Sequence, residues 1–270
     1  MMPPVFLSAS EPYQARAREY YESQNLANIR AAIRALCAHV LPHQPLVFGG
    51  HPAISPLVRG IAERIHHDRQ RGDANAPPPR VVMFMCRRFL PPQADPGPGV
   101  VVTDTHDREG NVVDPGGWAR NMSLLRMRYE MLGVPGVAVV APALRPFSAE
   151  FGARRAAAGI PAGFAAAVFV GGMEGVEREF RIFRSFHPHT PAYAMASTGA
   201  AAARLLPELG EMPPGLHHLL ATETAYATVF QQILPLPGRG VAALEWRPRP
   251  VEYDWRQHLD PDQLDNIGRD

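Results

Sequence analysis

The feature that most constrains this chain is an alternation: short apolar runs stop at small residues, and each is followed by a segment with apolar side chains at helical spacing. Val5-Phe6-Leu7 ends at Ser8-Ala9-Ser10, after which Leu26, Ile29, Ile33, Leu36 and Val40 lie on one helical stripe within Asn25 to Leu41. Leu46-Val47-Phe48 runs into Gly49-Gly50-His51-Pro52. Ser55-Pro56 then reads as an N-cap with proline at the first helical position, ahead of Val58, Ile61, Ala62 and Ile65. Arg80 to Cys86 is a continuous apolar run, the pattern of a strand buried on both faces. Val100 to Val102 reads as another strand and Asp107 to Asn111 as a turn. Trp118 to Leu132 reads as a helix with Met122, Leu125, Tyr129 and Leu132 on one stripe, while 138–144 and 151–160 are less patterned and suggest an insertion. Ala165 to Val170 enters Gly171-Gly172-Met173-Glu174-Gly175 before a helix with Val176, Phe180, Phe183 and Phe186. Ala192 to Ala196 enters Ser197-Thr198-Gly199 before an alanine-rich helix reaching Leu206.

This alternation predicts an α/β fold, a Rossmann-like and mainly parallel sheet with helices on both faces, over residues 1–211. Residues 212–270 form an expected C-terminal extension, with one helix from Leu216 to Ile233 and an aromatic tail containing Trp246, Tyr253 and Trp255. Trp246-Arg247-Pro248-Arg249 and Trp255-Arg256 have the composition of interface anchors, or of a segment folded back over the domain's own helices.

With 270 residues, 46% of them hydrophobic, and a net charge of +1, the chain is neither disordered nor built to seek nucleic acid. All 27 basic residues are arginine. The lack of lysine removes Schiff-base chemistry and phosphate-loop lysines, so an anion clamp here must be arginine, backbone N–H or a helix dipole. Cys37 and Cys86 stand far apart, which argues against a disulfide framework and a zinc site and fits a cytoplasmic protein. Cys37 lies on a helix stripe and reads as core; Cys86 ends a strand with no base near it in sequence. No apolar run approaches the roughly 18 residues of a membrane span, and the first residues show no basic leader. No membrane or nucleic-acid partner is expected.

In a parallel sheet, ligands bind beyond the carboxyl ends of the strands, where loops lead into helix N-termini. Four such junctions carry small residues: Ser8 to Ser10, Gly49-Gly50-His51, Gly171-Gly172-Met173 and Ser197-Thr198-Gly199. Glycine admits a ligand close to the backbone, and N–H groups at a helix start favour phosphate; glycine pairs also simply make tight turns. The spacing is neither the Gly-x-Gly-x-x-Gly fingerprint nor a Walker loop. Glu174 and Glu177 suit ribose hydroxyls, or act as favourable charges at a helix start. Arg126 and Arg128 suit a phosphate, or form a solvated helix face paired with Glu130. His51 suits a phosphate or base, or a capping role. Asp104, His106 and Asp107 flank a hairpin, and His66-His67, His187-Pro188-His189 and His217-His218 lack a face-sharing ligand spacing. Neither a metal nor a cofactor is expected.

FLSAS (6–10), LVFGGHPAISPLV (46–58), SLLRMRYEM (123–131), AVFVGGMEGVEREF (167–180) and AYAMASTGAA (192–201) together resemble a prokaryotic branch of the SLOG superfamily. The resemblance implies a Rossmann-like domain that binds a nucleotide-derived ligand, ADP-ribose-like or a cyclic nucleotide. It also implies a sensing role in antiviral defence beside a NAD-cleaving TIR-type partner, with a homo-oligomer as the other assembly. Ser8, Gly49, Gly50, His51, Arg126, Arg128, Gly171, Gly172, Met173, Glu174, Ser197, Thr198 and Gly199 are the candidate ligand residues. LOG enzymes of the same superfamily hydrolyse the N-glycosidic bond of nucleoside monophosphates and carry a Pro-Gly-Gly-x-Gly-Thr-x-x-Glu loop. Here Val170 to Glu179 matches with one inserted residue, no leading proline and Val176 for threonine, which puts Glu179 at the acidic position. Aligning Met131 with the enzymes' methionine places Met127 where their arginine stands and Arg128 one place off. That departure argues for binding without hydrolysis; an N-glycosidase using Glu179 and Arg128, and a purely structural assembly subunit, are the rival readings.

Overall fold

The structure is a computed structural model, and it describes residues 2–15, 17–86, 100–103, 118–133, 152–234, 236 and 246. Six strands form one sheet: β1 (Val5–Ser10), β2 (Leu46–Gly49), β3 (Val81–Cys86), β4 (Val100–Thr103), β5 (Ala166–Gly171) and β6 (Ala192–Met195). All are parallel, in the order β4-β3-β2-β1-β5-β6. This is the expected Rossmann-like arrangement. The chain steps outward from β1 to β4, returns, and steps the other way through β5 and β6. The direction therefore reverses between β1 and β5, and loops leaving those two strands part to opposite faces of the sheet, opening a crevice at their carboxyl ends.

The helices are α1 (Arg18–Ser23), α2 (Leu26–Val40), α3 (Ser55–Gln70), α4 (Trp118–Leu132), α5 (Ala153–Ala157), α6 (Glu174–Phe186), α7 (Ala200–Leu205), α8 (Pro214–Thr222) and α9 (Tyr226–Ile233). α2 buries Ile29, Ile33, Leu36 and Val40 as its periodicity dictates, with Cys37 beside them at 0% exposure, its thiol pushed up to about 12 by burial. On the face carrying α6, Phe6 of β1 stacks on Phe183 with centroids 5.8 Å apart, and Phe169 of β5 meets Phe180 edge-on at 5.1 Å. α4 packs against α6 on this face. Its end is tied down by Arg155 of α5, a fully buried cation lying over the Phe164 ring. Arg155 donates Nη1 to Met131 O at 2.6 Å and Nη2 to the Ala162 carbonyl; burial lowers it to about 10.

Several expected details change. Ser55 is the first residue of α3, with Ile54 at the cap, because its Oγ accepts the His51 N–H at 3.0 Å and turns the chain before the helix begins. α1 has one buried residue, Tyr20, so no periodicity marks it. The single helix expected from Leu216 to Ile233 is two: Glu223 is extended, and its Oε1 accepts the N–H groups of Thr224 and Ala225, both at 2.8 Å, at the start of α9. α8 and α9, which follow the sequence boundary at 211, bury Leu216, Leu220, Tyr226, Val229, Phe230 and Ile233 in the common core. Trp246 is 7% exposed, lies near Tyr193 and donates Nε1 to Glu211 O at 3.0 Å. The turn at 107–111, the 138–144 segment, the Asp104-His106-Asp107 group, Tyr253 and Trp255 lie outside the described residues.

Candidate functional site

Ser8 and Gly49 are side by side at the carboxyl edge of the sheet, since Leu7 of β1 is in register with Phe48 of β2. Glu179 of α6 lies over them. Its Oε2 accepts the Ser8 hydroxyl at 2.6 Å, and its Oε1 accepts Arg128 Nε of α4 at 3.2 Å. A Cβ on Gly49 would stand 3.6 Å from that Oε1 and 3.8 Å from Met127 Cε, at ordinary van der Waals distance from the carboxylate. Ser8, Arg128 and Glu179 are all buried, at 1%, 8% and 8% exposure.

The α6 N-terminus completes the arrangement. Met173 caps it without a side-chain hydrogen bond, and helix geometry leaves the first amides without an intrahelical acceptor. Gly175 in the first turn lies under the Arg128 guanidinium: Nη2 is 3.0 Å from where a Cβ would stand. A cation at the positive end of a helix is unfavourable by itself, and both features together favour an anion. Among the described residues, buried Arg128 Nη1 has no hydrogen-bond partner.

The other candidates divide. Arg126 is two places from Arg128, roughly 200° around the helix. Its Nε goes to Glu130 Oε1 at 2.8 Å, and Arg154 reaches the other oxygen at 3.2 Å. The pairing expected with Glu130 is therefore present but buried rather than solvated, with Glu130 at 0% exposure. His51 Nδ1 accepts the Ala53 N–H at 3.3 Å, a local turn role. Glu174 is exposed on the first turn of α6, and Glu177 accepts the Tyr20 hydroxyl at 3.0 Å. Burial, and then Glu177, raise the Tyr20 pKa well above the ordinary tyrosine value.

The glycine junctions are used differently from the expectation. The Gly50 amide donates to Phe84 O at 2.7 Å and the Gly172 amide to Ser10 O at 2.9 Å, both extending strand ladders. Gly171 N donates to Thr198 Oγ1 at 2.8 Å. Gly172 has φ +92°, with Val176 2.3 Å from a would-be Cβ. Gly199 lies against the Ser23 carbonyl, which donor-paired Asn25 and Asn28 flank by binding Thr198 O and Ser197 O. Ser197 Oγ pairs with Tyr226 Oη at 3.0 Å. The Ser8 contact and the Gly175 seat have no signal in the sequence, because both arise from register and helix rotation.

The model of the SLOG cluster3 family matches residues 19–138 and 154–234. The chain belongs to that family. SLOG membership indicates a nucleotide-related ligand or a LOG-like function. The match takes in Gly49, Arg128, Gly175 and Glu179, whereas Ser8 precedes it. No curated protein matches the chain. Among the described residues, no group of three His, Cys, Asp or Glu side chains is placed to hold a metal, and no helix is long and apolar enough to cross a membrane.

Proposed function

We propose that this SLOG protein binds a nucleotide-derived ligand, ADP-ribose-like or a cyclic nucleotide, with an anionic group held between the start of α6 and Arg128. The observation that carries the reading is the buried Arg128 Nη1, unmatched among the described residues, beside an uncapped helix start. A phosphate oxygen accepts from both, and the bare Gly175 lets the Arg128 guanidinium lie against the start of α6. Glu174, exposed on the same turn, is read as the partner of a sugar hydroxyl. The ligand is read as a signal rather than a substrate, in a bacterial defence system with a TIR-type partner; that part rests on the superfamily resemblance. Separate calorimetric titrations with AMP, ADP-ribose and cyclic AMP test the site. Binding of at least one that is lost in Arg128→Met supports it, and no binding of any contradicts it.

A second reading, a LOG-like N-glycosidase, is favoured by the Arg128–Glu179 pair, which forms despite the one-place offset in sequence. Glu179 as a general base needs a lone pair beyond those already used by Ser8 and Arg128. Adenine released from AMP by the wild type, and not by Glu179→Gln, would favour this reading.

A further inference from the structure

Buried serine and threonine hydroxyls in a folded chain are hydrogen-bonded, and one that is not marks a place for water or a ligand. Among the described residues, four such side chains are buried: Ser8, Ser10, Ser55 and Thr198. Ser8 donates to Glu179, Ser55 accepts the His51 N–H, and Thr198 accepts the Gly171 N–H. The Ser10 hydroxyl, on a residue 8% exposed, has no hydrogen-bond partner among the described residues. We propose that Ser10 is a ligand-binding residue whose hydroxyl donates to the phosphate held between Arg128 and the start of α6. The inference rests on the anion-binding reading of the site, and Ser10, like Ser8, precedes the family match.

Register places Ser10 there. Residues two apart on a strand share a face, so Ser10 faces α6 as Phe6 and Ser8 do, which meet Phe183 and Glu179. α6 joins the adjacent parallel strands β5 and β6 and therefore runs back against their direction. From Ser8 to Ser10 the strand advances about 6.6 Å toward the carboxyl edge. The same advance along α6 goes back four residues, about 6 Å, from Glu179 to Gly175. The level at which Ser8 meets Glu179 is thus followed by one at which Ser10 stands opposite Gly175, where Arg128 Nη2 comes within 3.0 Å of a would-be Cβ. The Ser10 carbonyl is bound to the Gly172 amide at 2.9 Å, which ties this end of β1 to the loop that opens α6. A hydroxyl adds a neutral donor to a site whose cation is already shared with Glu179, so a phosphate gains a bond without a further charge to desolvate.

Ser10→Ala removes the hydroxyl, and Ser10→Thr keeps it on a strand that suits a β-branched residue. Calorimetric titration with inorganic phosphate, AMP and ADP-ribose is run on the wild type, both variants and Arg128→Met, beside melting curves with and without phosphate. Ser10→Ala is expected to bind about tenfold more weakly and to lose most of the phosphate-induced rise in melting temperature, with Ser10→Thr within about threefold of the wild type. Wild-type affinity in folded Ser10→Ala, with binding lost in Arg128→Met, overturns the role of Ser10 and leaves the anion site standing. Equal losses in Ser10→Ala and Ser10→Thr also overturn it, since the hydroxyl would then not be the cause. If the wild type binds none of the three probes, the anion-site reading fails and the assignment of Ser10 falls with it.

Discussion

Arg128 and Glu179 are 51 residues apart and sit on different helices, yet Nε meets Oε1 at 3.2 Å in a site where both side chains are about nine-tenths buried. A buried ion pair of this kind contributes little net stability, but removing one partner strands the other. Glu179→Gln is therefore expected to lower stability by about 2–4 kcal/mol, read by denaturant unfolding. It is also expected to tighten inorganic phosphate binding several-fold, because the carboxylate that competes for Arg128 is gone. Weaker phosphate binding in a folded Glu179→Gln protein would mean that Glu179 does not compete.

Two glycines should respond in opposite ways to the same added methyl. At Gly199, φ is +71° and a Cβ would stand 2.0 Å from the Ser23 carbonyl oxygen, so Gly199→Ala is expected to cost at least about 2 kcal/mol. At Gly49 the nearest atoms to a Cβ are 3.6 Å or more away, so Gly49→Ala is expected to stay within about 1 kcal/mol of the wild type. Thermal melting of the two variants side by side checks the contrast. Equal losses would contradict the backbone account.

His187 predicts acid sensitivity. Its Nε2 donates to Leu132 O at 2.7 Å and its ring lies against Phe164 and Phe183, and burial, the largest cause, lowers its pKa from 6.5 to about 4. The unfolded chain therefore takes up the proton first as pH falls. The stabilisation is complete above about 6.5 and is lost progressively down to about 4, amounting to roughly 3 kcal/mol. Stability of wild type and His187→Phe measured from pH 7 to 4 should show a shallower slope in the variant. Parallel slopes would assign the acid sensitivity elsewhere.

Trp246 tests how the far end of the chain is used. Its ring packs near Tyr193 and its Nε1 is paired with the Glu211 carbonyl, contacts made within one chain. Trp246→Ala is expected to lower stability by about 2–4 kcal/mol without changing the mass seen by light scattering. A variant that melts like the wild type but loses assembled mass would make this residue an interface anchor instead.

The six strands and the buried stripes of α2 and α6 were legible because periodicity and small-residue stops are local properties of the sequence. The loss of an even helix between Leu216 and Ile233 was not, since it depends on the Glu223 carboxylate taking two amides that any helix pattern would have kept. At the site, Glu179 is read from the loop, and Arg128 as a candidate phosphate ligand standing one place from the enzymes' arginine. An alignment counts positions along a chain, whereas contact depends on which way a helix is turned, and the turn of α4 points Arg128 at α6 and sends Arg126 to Glu130. Gly50 and Gly172 spend their amides on neighbouring strands, which only the register reveals.

The account depends most on Arg128 offering a buried donor to an anion at the start of α6. Calorimetric titration of AMP and ADP-ribose into the wild type and into Arg128→Met, with melting curves to show both are folded, measures this directly. The account predicts saturable binding of at least one ligand by the wild type and a loss of about tenfold or more in the variant. Equal affinity in the two folded proteins would contradict it.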